Sequence, residues 1–261
     1  MQAQTSTQKQ SQTSTLDLQS ETLKPTSSAS TSQSPRELVV KLPVDAIYYI
    51  SLPKAVQRQR KLLAHFNQIG LVDKHGNQPQ HHIASNGNDI NHLIDNTLKR
   101  SKKRPSISLS EIGCCASHRA VWQKMLDNGN EYALILEDDA RFDVKRTNEL
   151  LTNWNKLPEF DFLHLGWRYY AGWGEQIIER VDFIEGLQLW KGNQMWTTHG
   201  YIVNRKAAEL FLEHTYVQNN GLDAMTAWIQ DLMLSYGFSP EVCHQAHDLT
   251  GFQRSQIRHT G

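Results

Sequence analysis

The segment Tyr132-Ala133-Leu134-Ile135-Leu136-Glu137-Asp138-Asp139-Ala140 limits the fold more than any other. A nearly continuous apolar run is followed at once by three acids. Such a run suits a strand buried on both faces, in a sheet covered by helices. In open α/β sheets, ligands usually bind at the carboxyl edge of the strands. The three carboxylates therefore arrive where chemistry is commonly done. Adjacent carboxylates repel one another unless something neutralises them, and a hard divalent cation with oxygen ligands does this well. Such an ion can also bridge a diphosphate and stabilise charge on a departing phosphate. Side chains alternate along an extended chain. Glu137 and Asp139 are thus expected on one side and Asp138 on the other, unless a turn begins at the acids. The bland alternatives are a solvated acidic turn and a carboxylate that binds a ribose hydroxyl.

The flanking segments fit an alternating α/β pattern. Residues 46–52 are rich in β-formers and read as a strand ended by Pro53. A helix is expected over 54–69, with Val56, Leu63, Phe66 and Ile69 on one side and Gly70 as its stop. Ser108 and Glu111 have capping-box spacing. They open a helix whose apolar side includes Ile112, Cys115, Trp122 and Met125, and Asn128-Gly129 ends it. Further helices are expected over 145–156, from Arg205 to Glu213 and from Asp223 to Leu234. Further strands are expected from Phe160 to Leu165 and over Tyr201-Ile202-Val203. Residues 167–196, with Trp167, Tyr169, Tyr170 and Trp173 among glycines, read as irregular loops and short strands. The aromatic group suits a sugar-facing loop or the edge of a core.

Composition narrows the classes. Residues 1–36 are dominated by Gln, Ser and Thr and read as a disordered tail, leaving one folded domain over 37–261 with a polar insertion around 73–106. The 27 basic and 27 acidic residues cancel, so no long-range attraction to nucleic acid is expected. The short basic run Lys99, Arg100, Lys102, Lys103 and Arg104 is the local exception. It reads as a solvated loop, or as peripheral contact with an anionic membrane. Three cysteines, two of them adjacent, make neither a disulfide framework nor a zinc pattern. With no secretory signal and no long apolar span, a cytoplasmic protein is expected, at most peripheral at the inner membrane.

Four segments, in order, resemble glycosyltransferase family 25, the lipooligosaccharide galactosyltransferase type. They are IYYISLPKAVQRQRKLL, EIGCCASHRAVWQKM, LILEDDA and THGYIVNRKAAELFL. The resemblance covers most of residues 46–214. It implies a GT-A type nucleotide-sugar transferase fold, a single mixed sheet flanked by helices. It also implies inverting transfer of a hexose, galactose in the type case, from a UDP-sugar to a lipooligosaccharide, glycolipid or other oligosaccharide acceptor. A divalent metal is implied, Mn²⁺ commonly and Mg²⁺ as the alternative, held against the UDP diphosphate by Asp139 with Glu137 or Asp138. Ser51 and Leu52 at the first strand end, Arg58, His118, Asp138 and Tyr201 match segments associated with the nucleotide sugar. The family more often carries Asn where Ser51 stands.

Inversion needs an acceptor hydroxyl aligned for attack, and a carboxylate commonly removes its proton. Asp223 matches the family's acid at the start of a late helix, with Asp231 in reserve, two helical turns on. Two other functions compete. A metal-dependent nucleotidyl- or phosphotransferase also uses a strand-end acid cluster, but no Walker-type Gly-Lys-Ser/Thr motif occurs. A catalytically degenerate glycan-binding protein would keep the fold without turnover.

Overall fold

The computed structural model describes residues 39–87, 99–100, 107–168 and 177–246. By its contacts the chain divides at Arg36, and the unit from Glu37 to Gly261 is the one described here. The Gln/Ser/Thr-rich segment, Tyr169, Tyr170, Trp173 and most of the basic run lie outside the described residues.

One mixed eight-stranded sheet organises this unit. Its strands are β1 (Ala46–Ser51), β2 (Gln80–Ile83), β4 (Tyr132–Glu137), β6 (Phe162–His164), β7 (Ile177–Ile184), β8 (Leu187–Gly192), β9 (Gly200–Asn204) and β11 (Ser235–Ser239). They lie in the order β2-β1-β4-β9-β6-β11-β8-β7. β1 runs parallel to both β2 and β4, whereas β9 is antiparallel to β4 and β6. Two small ribbons accompany the sheet. In one, β3 (Lys99–Arg100) pairs with β10 (Val217–Gln218); in the other, β5 (Ala140–Phe142) pairs with β12 (Cys243–Gln245). The expected α/β class and single mixed sheet flanked by helices are what the chain forms.

The strand alternation builds two cores, one on each face. On β4, Leu134 and Leu136 join Tyr49, Leu163, Ile202 and Phe238 on one face, covered by Leu62, Phe66 and Ile69 of α1 (Val56–Ile69) and Leu150 of α3 (Val144–Thr152). Ala133 and Ile135 join Tyr48, Phe162, Tyr201 and Val203 on the other. There they meet α2 (Leu109–Asp127) and α4 (Arg205–His214) through Cys115, Trp122, Met125, Ala207 and Phe211. Burying side chains of this size stabilises the fold by about 1.5–3 kcal/mol each. Glu137 continues the second series, which aims its side chain at α2.

Local signals set the helix ends. The Ser108/Glu111 capping box is present in full. Gly70 closes α1 in the left-handed conformation at φ 58°, where a Cβ would be strained. Three expectations need correction. In α1 it is Leu62, not Leu63, that is buried, and Val56 is exposed. Residues 177–192 form a long hairpin rather than loops and short strands, because the polar Glu179, Arg180 and Asp182 mask the alternation of an edge strand. The helix from Asp223 stops early. α5 covers Leu222–Trp228, a 3-10 turn follows at Gln230–Leu232, and β11 begins at Ser235.

Candidate active site

β4 delivers its three acids to the sheet edge, but not with the expected alternation. The strand ends at Glu137, and Asp138 and Asp139 occupy the tight turn into β5. Each carboxylate consequently meets a different neighbour.

Asp138 turns toward β1 and α1. Its Oδ2 accepts from Ser51 Oγ at 2.6 Å, and Arg58 Nη1 lies 3.0 Å from its Oδ1. Burial is the larger effect on this carboxyl and raises its pKa despite Arg58. Ser51, Leu52 and Arg58 are thus gathered at one strand end, where the Leu52 carbonyl accepts from Gln59 Nε2 at 2.7 Å.

Glu137 faces the α2 side. Its Oε1 accepts from Thr198 Oγ1 at 2.7 Å and lies 3.4 Å from His118 Nε2. Behind His118, its Nδ1 stands 2.7 Å from the Tyr201 hydroxyl, which also accepts from Trp122 Nε1 at 3.0 Å. One tautomer of His118 joins these groups in a chain and leaves Nε2 facing Glu137 without a hydrogen bond of its own. Trp122 donates to Tyr201, Tyr201 donates to His118 Nδ1, and the Nε2–H of His118 faces Glu137. Burial alone would raise the Glu137 carboxyl; His118 and Thr198 outweigh it and hold it down at about 2. His118 and Tyr201 are each about 1% exposed. Both side chains support Glu137 from beneath. Tyr201→Phe removes the middle of this chain and leaves His118 Nδ1 and Trp122 Nε1 without partners, at about 1–3 kcal/mol each. Urea unfolding is expected to show a total loss of about 2–6 kcal/mol.

Asp139 is the least satisfied. Its Oδ1 is buried with no hydrogen-bond partner among the described residues, and its Oδ2 has only Gln245 Nε2 at 3.5 Å. Burial, with Glu137 and Asp138 adding their charge, pushes its pKa up to about 7. Gln245 and the backbone of Ala246, which donates to the Asp139 carbonyl at 2.8 Å, carry no sequence signal for this role. They lie far along the chain in a polar segment.

Asp223 opens α5 and joins the electrostatic neighbourhood. Burial first, then Glu137 and Glu111, raise its carboxyl. Its Oδ1 accepts from the adjacent Ala224 N–H at 2.9 Å, inside the first turn of a helix whose N-cap is Gly221 with no side-chain cap. Asp231 does not share a helix face with Asp223, because the helix has already ended. Its carboxylate accepts from Asn193 Nδ2 on the exposed 3-10 turn. The two-turn helical spacing expected between the pair is therefore not formed.

Asp139 offers a buried, unpartnered carboxylate oxygen, the donor chemistry a hard cation takes. Asp138, by contrast, is engaged by Ser51 and Arg58, and Glu137 by Thr198, so the three acids do not converge as a ready-made set. Cys114, His118 and Glu137 also place ligand atoms within 4.8 Å of one another. They suit such an ion poorly. The Cys114 thiol is driven well above its ordinary value by burial and Glu137, and the hydrogen-bond chain puts a proton on His118 Nε2.

A helix-covered mixed sheet with carboxylates at the carboxyl edge of a central strand is an α/β arrangement of the kind in which ligands usually bind at the strand ends. Residues 44–226 match the family described as glycosyltransferase family 25 (LPS biosynthesis protein), and the chain belongs to that family. A glycosyltransferase 25 family member of Anopheles gambiae is 26% identical over 184 residues, 66% of this chain and 29% of that protein. Human procollagen galactosyltransferase 2 is 26% identical over 106 residues, 40% of this chain and 16% of that protein. The chain thus spans under a third of the length of these relatives. A solved glycosyltransferase involved in glycosylation of the PBCV-1 major capsid covers 67% of each chain at 14% identity, with a TM-score of 0.34. That likeness is too distant to add to the argument. Among the described residues no helix is long and apolar enough to cross a membrane.

Proposed function

We propose that this domain transfers a hexose, galactose by its family likeness, from a UDP-sugar to a glycan acceptor with inversion. Lipooligosaccharide or another surface glycan is the acceptor class we assign. The observation that carries this reading is Asp139. A carboxylate buried beside two others, with an unpartnered oxygen, is costly unless a cation joins it. Asp139 and Glu137 would hold a divalent metal, Mn²⁺ or Mg²⁺, which when bound offsets the charge of a diphosphate and of departing UDP.

The chain's own residues supply the rest. The end of β1, with Ser51, Leu52 and Arg58, receives the nucleotide. Arg58, already turned toward Asp138 and partly exposed, offers the positive charge nearest a phosphate. The chain of Trp122, Tyr201 and His118 fixes Glu137 as a carboxylate. Asp223, whose carboxyl is raised by burial and by Glu137 and Glu111, takes the proton from the attacking acceptor hydroxyl.

A thermal-shift screen of UDP-sugars and nucleoside triphosphates, each with and without Mn²⁺ or Mg²⁺, tests this reading. A UDP-sugar with metal is expected to raise Tm by more than either alone. Stabilisation by a nucleoside triphosphate but by no UDP-sugar would move the reading to nucleotidyl or phosphoryl transfer.

A further inference from the structure

Trp167 lies outside the acidic cluster, yet it is fixed in place. Its indole Nε1–H donates to the Phe238 carbonyl at 2.8 Å. The pyrrole edge rests on Gly237, where an added Cβ would stand 2.7 Å from Cδ1 and 2.8 Å from Nε1. Only a residue without a side chain lets the ring lie there. A surface aromatic held at both its polar atom and its edge is preorganised.

The indole lines an open cavity of about 540 Å³, within the roughly 300–1,000 Å³ span of small-molecule sites. Asp143, Arg146, Glu241 and His244 supply its polar groups. Arg146 is already engaged, 3.2 Å from the Asp143 carboxylate and donating to the Glu241 carbonyl at 3.0 Å. Two carboxylates against one engaged guanidinium disfavour a phosphate or an acidic sugar. They favour hydroxyl donors instead. An aromatic face beside carboxylates matches a neutral sugar ring, whose C–H face stacks while its hydroxyls donate.

The cavity also adjoins the acids. β5 carries the chain from Asp139 to Asp143, about 13 Å of extended backbone at most. β12 pairs along it, with His244 opposite Arg141. Gln245, next to His244, touches Asp139. The cavity therefore lies within about 13 Å of Asp139 along β5.

We propose that this cavity is a subsite for an uncharged hexose of the acceptor glycan, with Trp167 as its stacking platform and Gly237 as the residue that positions it. The assignment of the hexose to an acceptor rests on the transferase reading above; the sugar site itself does not.

The test uses the full chain and a panel of methyl β-galactoside, methyl β-glucoside, methyl α-mannoside and lactose. Binding is read by tryptophan fluorescence and by saturation-transfer NMR. At least one glycoside is expected to bind saturably. Trp167→Ala should weaken it about tenfold, a loss of about 1.4 kcal/mol, Trp167→Phe should recover most of it, and the exposed Trp228→Ala should not change it. Gly237→Ala, which displaces the ring without removing it, should weaken binding while circular dichroism stays native. Absence of saturable binding to the wild type, or undiminished binding by Trp167→Ala, overturns the subsite. UDP-galactose binding with Mn²⁺ is measured separately on the wild type. Its failure alongside glycoside binding at Trp167 would remove the transferase reading and leave the sugar site standing.

Discussion

Asp139→Asn is expected to lower sugar transfer about a hundredfold or more while leaving the metal-free protein at least as stable as the wild type. The two effects share one cause. Losing a ligand that stabilises developing charge on the leaving diphosphate costs several kcal/mol in the transition state, and each 1.36 kcal/mol is about tenfold in rate. In the metal-free protein the same carboxylate is a liability, buried beside Glu137 and Asp138 and raised to about 7. A carboxyl whose folded pKa is raised favours folding while protonated, and that stability is lost as pH rises from its ordinary value through the folded one. Wild-type Tm without metal should therefore carry a component that falls between about pH 4 and pH 7. Asparagine keeps the shape and removes the charge, so this component should vanish. Rate and Tm measured on one preparation check both halves.

Gly166→Ala is expected to destabilise the fold by about 3 kcal/mol through overpacking, a Tm loss on the order of 6–12 °C for a domain of this size. Gly166 follows β6, and a Cβ there would sit 1.9 Å from the Cys243 carbonyl and 2.5 Å from His199 Nε2. No rotamer relieves contact with backbone. The Cys243 carbonyl is also the partner of His199 Nε2 at 3.0 Å, and the His199 carbonyl accepts from Glu137 N–H at 2.9 Å. Pushing β12 away would loosen the support of Glu137 and withdraw Gln245 from Asp139. Transfer should fall with stability, and chemical denaturation separates the two. A Tm unchanged within a degree or two would show that the strand end is far more pliant than its packing indicates.

The parts of the fold with strong local signals were legible in the sequence. β1, α2 with its capping box, β4 and α4 fall where periodicity and caps place them, because each rests on near-neighbour chemistry. The 177–192 hairpin and β11 were not legible. Edge strands carry polar residues on one face, and β11 is recognisable only by its partners β6 and β8. At the site, the acids and their position at a strand end could be read directly. Their separate directions could not, since the turn at Asp138–Asp139 overrides strand alternation. The role of Tyr201 was hidden for a similar reason. Its hydroxyl is defined by Trp122 and His118, residues about 80 positions away in the chain. Trp167 stood out as an aromatic, while the glycine that seats it, Gly237, has meaning only once β11 lies alongside.

The central claim concerns a cation at the end of β4. Titration of Mn²⁺ by electron paramagnetic resonance, with UDP present, measures it most directly. The account predicts one bound ion per chain in the wild type, affinity that weakens as pH drops below about 7 as Asp139 takes up a proton, and loss of that ion in Asp139→Asn. Equal Mn²⁺ binding by the wild type and Asp139→Asn would contradict it.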